Sequence, residues 1–319
     1  MHRRSRLVAA LGCVATLAMV GCAANSAVTP LAGTTQQAQT RVPMGPDWIF
    51  KDGVLYHTPH YMATRSAAQH QVSRAILLDY GGGPVLVTPK VYIVFWGYKT
   101  YGDPDNVAKL LKTYSKHMGG SSHNNIYTQY YEKSGSTTTY ITNPKKQLGG
   151  VWFDDTNAVP AHPTDSQVAA ESLQLIAQVG YDANASYVVA TPTGHSTIGF
   201  GTSWCAYHSA TMSNNELVSY TNLPYMPDAG TSCGANFTSP PKDETSTDEG
   251  VTIVEGHEYG ESVTDPNPPT GWYNNAEGEI GDICAWQDIQ NDKFGKKQYT
   301  MQPMFSNATQ SCVQGYPSN

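Results

Sequence analysis

Apolar runs alternate with amphipathic segments through the middle of the chain. Val91 to Trp96 is a continuous β-branched and aromatic run, which predicts a strand buried on both faces. Shorter runs at 85–87, 137–141, 151–153 and 186–190 predict further strands. Because these strands alternate with helical segments, the pattern predicts an α/β fold with a mixed sheet flanked by helices.

Three helices are predicted before residue 200 by apolar spacing and by end signals. The first covers residues 103–117, with Asp103 as its cap and a proline in its first turn. A shorter helix is expected over residues 125–132. The third covers residues 165–179, where the apolar positions have helical spacing and Thr164 can cap the first turn.

The C-terminal third has a different pattern. Residues 195–245 are expected to be rich in loops. Ser246-Thr-Asp-Glu249 has the S-x-x-E form of a capping box, which predicts that a helix begins there and continues through the apolar residues 251–254. Asp265-Pro266 should end this helix, because the residue before a proline avoids helical geometry. A final strand is expected near residues 298–301.

Residues 1–22 have the pattern of an export signal. A region with three arginines precedes an apolar run at 7–20, which is too short to span a membrane. The export signal could end in one of two ways. Residues 19–22 approximate a bacterial lipobox, which would make Cys22 the lipidated first residue of a membrane-anchored lipoprotein, and this is the preferred interpretation. Otherwise a signal peptidase would cleave within residues 23–27 and the protein would be secreted.

The expected organisation is a signal peptide at 1–22, a poorly ordered arm at 23–75, and a single α/β domain at 76–319. The arm is rich in alanine, threonine, glutamine and serine without a sustained period. Two short apolar groups within it, 48–50 and 54–56, are expected to dock locally.

Charge and cysteine content narrow the class of protein. The chain has 26 acidic residues against 19 basic ones, a formal charge of −7, which disfavours nucleic acid and anionic membrane surfaces as partners. Any membrane contact would therefore be through the lipid anchor. Beyond the signal, an even number of cysteines in an exported protein suggests two disulfides with three possible pairings. The preferred pairing joins neighbours in the sequence, Cys205 with Cys233 and Cys284 with Cys312. Zinc binding by the same four cysteines is the alternative, although no C-x-x-C pair is present. These cysteines are Cys205, Cys233, Cys284 and Cys312.

The predicted C-terminal helix carries the strongest chemical motif, His257-Glu258-x-x-Glu261. Residues four apart lie on one helix face, so His257 and Glu261 could bind one metal ion. In H-E-x-x-H metalloproteases the second residue is the general base, which predicts that role for Glu258. Here Glu261 replaces the second histidine, and a carboxylate oxygen is an acceptable zinc ligand.

A third metal ligand would come from a separate segment, as in other zinc hydrolases. Glu279 and Asp282 both follow at a suitable distance in the chain, and the sequence does not choose between them. Asp265 is a further option, but it is expected to brace the turn after the helix. His208 is either a polar residue beside a disulfide or an active-site histidine that polarises a substrate carbonyl. His195 is a weaker candidate for such a role.

The run from Gly256 to Cys284 resembles the C-terminal signature of the plant Exordium (phosphate-induced) protein family and its bacterial secreted relatives. The block from Val91 to Gly97 and the pair Cys205…His208 also resemble segments of that family, in the same order. The resemblance implies an extracellular α/β protein. The plant members are linked to cell-wall growth and signalling, and the bacterial relatives resemble zinc peptidases. This chain departs from the family in its lipoprotein-like arm and in Thr264-Asp265.

The favoured function is therefore an exported zinc-dependent hydrolase that acts on peptide or cell-wall material, most simply a metallopeptidase. The first alternative is a non-catalytic extracellular binding or signalling protein of Exordium type, in which the acids hold a structural ion or make only hydrogen bonds. The second is a glycosidase that uses Glu258 and Glu279 as paired carboxylates about 5–10 Å apart. The sequence leaves open the metal, the substrate and whether the arm covers the site as a pro-segment would.

Overall fold

The computed structural model describes residues 47–68 and 77–317. The signal segment, Cys22 and the parts of the arm at 23–46 and 69–75 lie outside these residues. The strands are β1 (Trp48–Lys51), β2 (Val54–His57), β3 (His60–Ala63), β4 (Asp79–Tyr80), β5 (Lys90–Trp96), β6 (Tyr131–Ser134), β7 (Thr137–Tyr140), β8 (Leu148–Asp154), β9 (Ala185–Ala190), β10 (Trp204–Ser213), β11 (Glu216–Leu223), β12 (Trp272–Tyr273), β13 (Gln290–Phe294), β14 (Lys297–Met301), β15 (Met304–Ser306) and β16 (Ser311–Val313). The α-helices are α1 (Tyr98–Tyr101), α2 (Val107–Met118), α3 (Asp165–Val179) and α4 (Glu249–Thr264), with short 3₁₀ turns at 124–129, 226–233 and 282–284.

One eight-stranded mixed sheet organises the domain. Seven strands follow the order β1-β2-β10-β11-β9-β5-β8, and β3 pairs with β10 beside β2. The strands β11, β9, β5 and β8 are parallel to one another, whereas β1, β2, β3 and β10 form antiparallel pairs, including the pair of β10 with β11. The predicted mixed α/β sheet is confirmed.

Helices cover both faces of this sheet because the central strand β5 is apolar on both. Ile93 and Phe95 belong to a core shared with α2 and α4, whereas Val94 and Trp96 belong to a second core shared with α3. Full burial of one such side chain stabilises a fold by roughly 1.5–3 kcal/mol. The continuous apolar run at 91–96 is thus explained by packing on both faces of the sheet.

The two long predicted helices of the first half are present. Thr164 caps α3 as predicted, whereas the residue at the cap position of α2 is Asn106 rather than Asp103. At α3, Thr164 accepts a hydrogen bond from the backbone N–H of Gln167, and the Gln167 side-chain oxygen accepts one from the backbone N–H of Thr164. At α2 the helix begins at Val107, and the Asp103 carboxylate accepts from the backbone N–H of Val107 at 2.7 Å. The helix expected over 125–132 is instead a 3₁₀ turn followed by β6.

Two local predictions are wrong. Residues 85–87 do not form a strand, because their backbone groups bond elsewhere: the Val85 N–H donates to Glu132 and the Leu86 N–H to the carbonyl of Val263. The capping box at 246–249 is also absent. Asp248 precedes the first turn of α4, and the Glu249 carboxylate accepts from the N–H groups of Phe237 and Thr238.

The loop-rich interpretation of residues 195–245 is wrong as well, since β10 and β11 form the longest hairpin of the main sheet. Their turn is Asn214-Asn215, and both residues have positive φ, 49° and 66°. Asparagine tolerates this conformation, and two such residues form the tight turn that suits twisted strands. That dipeptide was the available sequence signal.

Part of the predicted arm belongs to the sheet. The structure places residues 48–63 in β1, β2 and β3, so the ordered fold begins well before residue 76. Asp52 and Gly53 make the turn between β1 and β2 with positive φ of 52° and 81°. An Asp-Gly pair between two short apolar runs is a strong hairpin signal, which the low overall hydropathy of the arm obscured.

Both predicted disulfides are present, Cys205–Cys233 and Cys284–Cys312. The first ties β10 to the 3₁₀ turn at 226–233, and the second ties the turn at 282–284 to β16. Such bonds form in oxidising compartments, which agrees with export. Among the described residues, no helix has the length and apolarity needed to cross a membrane.

Candidate metal centre

Helix α4 is the central element of the site, and all 16 of its residues are buried. Glycines allow its neighbours to approach closely. A Cβ at Gly256 would lie 2.5 Å from the Met301 side chain, and one at Gly260 would lie 3.0 Å from the Tyr127 hydroxyl. The helix therefore packs between β10 of the main sheet and β14 of a C-terminal hairpin, which fixes the direction of its side chains.

On this helix, His257 and Glu261 lie beside Asp282, which is one of the two candidates for the third ligand. His257 Nε2 lies 3.1 Å from Glu261 Oε1 and 3.6 Å from Asp282 Oδ1. The backbone N–H of Asp282 also donates to Glu261 Oε1 at 3.1 Å. Gly281 makes this approach feasible, since a Cβ there would lie 2.7 Å from His257 Nδ1. The structure thus brings Asp282, rather than Glu279, to His257.

His208 lies in the same cluster, directly beneath the helix. Its Nδ1 is 3.4 Å from both Glu258 Oε2 and Glu261 Oε2, and its Nε2 is 3.5 Å from Glu279 Oε2. The ring is fully buried, and it is brought there by β10. Both of its nitrogens face carboxylates, so it lies inside the cluster rather than merely beside the disulfide.

A third histidine, His60, was missed by the sequence analysis. It lies on β3 directly opposite His208 in the strand pairing, and its Nε2 is 2.8 Å from Asp282 Oδ2 and 3.1 Å from Glu279 Oε2. No motif surrounds it in the sequence. The only available signal was the Asp52-Gly53 hairpin, which would have placed the following residues in a sheet.

Four carboxylates and three histidines therefore meet at one place, and three overlapping groups of them could each hold a metal ion. Glu261 belongs to all three groups, which are His60–Glu261–Glu279, His208–Glu258–Glu261 and His257–Glu261–Asp282. Tetrahedral ligands at about 2.0–2.2 Å from zinc lie roughly 3.3–3.6 Å from one another. The nitrogen–oxygen separations of 3.1–3.6 Å among His208, His257, Glu261 and Asp282 are close to that spacing.

Many of these polar atoms lack a hydrogen-bond partner within the described part of the chain. They are both nitrogens of His208, Nε2 of His257, both oxygens of Glu258 and of Glu279, and Oε2 of Glu261. Buried polar atoms are nearly always partnered, because an unpaired one costs about 1–3 kcal/mol and a charged one costs more. Bound cations would give several of these atoms a partner, so the donor set fits a divalent metal.

The pKa values of the buried acids are shifted in opposite directions. Burial, followed by the negative charge of Glu261, raises the pKa of Glu258 well above its usual value. The same two causes raise the pKa of Glu279. Burial would also raise the pKa of Glu261, but the charge of His257 and the His208 ring 3.4 Å away hold it well below the usual value. Glu261 is therefore the anionic centre of the cluster.

The histidines differ for the same reasons. Burial lowers the pKa of His208, even though Glu261 opposes this. Burial would lower the pKa of His60 too, but its hydrogen bond to Asp282 raises the value to about 9. For His257 the charge of Glu261 outweighs burial and raises the pKa.

Gln302 contacts the far side of the His257 ring. Its side-chain amide Nε2 lies 3.0 Å from Nδ1 of His257 and donates to the carbonyl of Gly281 at 2.7 Å. Metal-binding histidines are commonly held by a polar group at the second ring nitrogen. With a metal on Nε2, Nδ1 carries the proton and the amide has to present its oxygen, an atom that has no partner among the described residues.

Two further candidates lie outside the three groups. Asp265 is the residue that ends α4, and its carboxylate accepts from the backbone N–H of Thr270, as expected for a brace of the turn. Burial raises its pKa to about 7. The ring of His195 contacts Tyr101, with centroids 3.9 Å apart.

Comparisons with known proteins found no match to this chain among protein-family models, curated proteins or solved structures. The resemblance to the Exordium family therefore stays a prediction.

Proposed function

We propose that this protein is an exported metal-dependent hydrolase, with zinc as the first candidate for the metal. The observation that supports this most strongly is the convergence of His257, Glu261 and Asp282 with ligand-like spacing, next to buried polar atoms that otherwise have no partner. The proposed ligands of the metal are these three residues. Two oxygen donors and one imidazole form an acceptable zinc set.

A bound zinc ion would supply Lewis-acid polarisation of the scissile carbonyl and would lower the pKa of a nearby water molecule. Glu258 is the proposed base, since it follows His257 directly on α4 and is not needed as a ligand in that set. Burial and the charge of Glu261 raise the pKa of Glu258, which is the direction expected of a group that takes up a proton and then passes it to the leaving group. His208, 3.4 Å from Glu258, would hold this carboxyl in place.

A peptide is the proposed substrate class because of the strand beside the site. The cluster is most exposed at His60 and Asp282, whose side chains are 31% and 20% accessible. His60 lies on β3, and the neighbouring Tyr61 is 40% exposed. Within residues 47–68 and 77–317, β3 pairs with β10 along one edge only. An extended peptide that approaches this edge could pair with strand backbone and bring its carbonyl to the site.

A structural ion site is the second candidate, and burial is the observation that favours it. His208, His257, Glu258, Glu261 and Glu279 are at most 1% exposed. A closed site would stabilise the fold without admitting substrate, as in the non-catalytic alternative. The glycosidase alternative is less compatible with the geometry. Glu258 and Glu279 face opposite nitrogens of one buried imidazole, which occupies the space that a sugar would need.

Two substitutions on α4 separate these possibilities, and a third residue of the same helix is the control. Glu261→Gln should lose most of the bound metal, because a neutral amide oxygen binds a divalent cation far less well than a carboxylate. Glu258→Gln should keep the metal and reduce hydrolysis of a fluorogenic peptide library by about 10²–10⁴-fold. Glu255→Gln is matched in position and burial, but Glu255 belongs to none of the three groups, so it should retain both properties.

Metal content after extensive dialysis, measured by mass spectrometry, tests the site without any substrate. If the wild type retains no metal, or if Glu258→Gln and Glu261→Gln retain it equally well, the proposed centre is wrong. If metal is retained as expected but the wild type hydrolyses no peptide in the library and Glu258→Gln changes only stability, the structural-ion candidate replaces the hydrolase.

A further inference from the structure

The proposed three-ligand site leaves two members of the cluster without a role, His60 and Glu279. Glu279 has both oxygens buried without a hydrogen-bond partner among the described residues, and it lies 3.1 Å from His60 Nε2. Neither residue contacts His257 in the described geometry. These two groups point to a separate ligand beside the first.

Charge balance leads to the same conclusion. Four carboxylates meet here, and no lysine or arginine of the described residues lies within ion-pair distance of any of them. A buried charge is costly unless it is paired. Metal binding requires ionised carboxylates and neutral histidines, whatever their protonation in the metal-free protein. In that metal-bound state one divalent cation would leave two negative charges without compensation, whereas two divalent cations would balance all four.

Two acids are placed to serve both positions. Asp282 directs Oδ1 toward His257, at 3.6 Å, and Oδ2 toward His60, at 2.8 Å. Glu261 directs Oε1 toward His257 and belongs also to the group with His60 and Glu279. Carboxylates shared in this way are how two-metal hydrolases hold ions about 3.5–4 Å apart.

We infer that the centre binds two divalent cations. The first position is that of His257, and the second is formed by His60 and Glu279, with Glu261 and Asp282 shared between them. This inference rests on the proposed metal centre and extends it, because the second position requires β3 as well as α4. It leaves Glu258 free to act as the base.

Metal stoichiometry tests the inference. The mature protein, loaded with zinc and dialysed against metal-free buffer, should retain two ions per chain by mass spectrometry. His60→Ala and Glu279→Gln should each retain one. The control is His57→Ala, because His57 is also a buried histidine of the same sheet, three residues away, and outside the three groups. It should retain two.

A second readout uses manganese in place of zinc. Two Mn²⁺ ions that share carboxylates give a spin-coupled paramagnetic resonance spectrum, and His60→Ala should give the spectrum of a single ion. Two ions in the wild type, with one lost in both variants, would support the inference. One ion in the wild type would overturn it and leave the first position standing, whereas no bound metal would overturn both. Two ions retained by both variants would show that His60 and Glu279 do not form the second position.

Discussion

The two disulfides offer a test of how the metal centre is held, because they close loops of the same length. Each joins cysteines 28 residues apart. In the chain-entropy account, closing a loop of that length stabilises the fold by about 3.6 kcal/mol through its effect on the unfolded chain. Replacing either pair by alanine should therefore lower the free energy of unfolding by a similar amount, and the melting temperature by roughly 7–14 °C.

Their effects on the metal should differ, because the neighbouring ligands are held in different ways. Asp282 lies two residues before Cys284 in a three-residue 3₁₀ turn outside the sheets, held by the disulfide and by a few hydrogen bonds, one of them from the Asp282 N–H to Glu261. His208 lies three residues after Cys205, but β10 pairs with β3 at His60 and with β11 at Thr221 on its two sides. The sheet therefore fixes His208 without the disulfide.

We expect the Cys284→Ala, Cys312→Ala double variant to bind metal roughly 10- to 100-fold more weakly, as when a supporting group of a metal site is lost. The Cys205→Ala, Cys233→Ala double variant should bind nearly as well as the wild type. Urea unfolding and competition with a fluorescent chelator measure the two quantities separately. Equal losses of metal affinity in both variants, at comparable loss of stability, would refute the argument that the short turn depends on its disulfide to position Asp282.

Two further predictions concern regions away from the centre. Burial, followed by the negative charge of Asp154, raises the pKa of Glu171 from 4.5 to about 8. The protonated carboxyl of Glu171 makes its full contribution to the free energy of unfolding below about pH 4.5. This contribution is lost as the pH rises to about 8. Glu171→Gln, which cannot ionise, should therefore gain stability relative to the wild type across that window, by at most about 1.4 kcal/mol per pH unit. Urea unfolding at pH 5 and pH 8 measures this, and parallel changes in the two proteins would contradict it. Separately, the mass of the mature N-terminus should show lipid on Cys22, and an unmodified chain starting at Ala23 or later would leave simple secretion.

The elements that the sequence predicted correctly have signals within a few residues of one another. Helix α3 combines helical apolar spacing with a capping box at Thr164, and β5 is an uninterrupted apolar run. The disulfide pairing could also be predicted, since each bond joins two cysteines that follow one another in the sequence. In such cases local chemistry and tertiary packing favour the same structure.

The failures occur where distant contacts decide the structure. Residues 85–87 have a strand-like composition, but their N–H groups bond to a side chain and to the end of α4. Glu249 has the right spacing for a capping box, yet its carboxylate binds backbone groups near Phe237. Neither outcome can be derived from neighbouring residues alone.

In the candidate centre, too, the sequence predicted the local contacts and left the distant ones open. His257 and Glu261 are one helical turn apart, so the motif alone placed them together. The choice between Glu279 and Asp282 depends on how the chain returns after α4, which the sequence left open. The return brings Asp282 to His257 and places Glu279 beside His60 instead.

His60 shows why the boundary of the domain matters for the function. It comes from a segment that composition alone assigned to a poorly ordered arm, yet β3 pairs with β10 so that His60 lies opposite His208. A chain that began at residue 76 would keep the whole H-E-x-x-E motif and both disulfides. It would lose a histidine within 3.1 Å of two of the acids and the strand that covers β10 at that point. The motif on α4 is therefore only one side of the centre, and the N-terminal strands supply another.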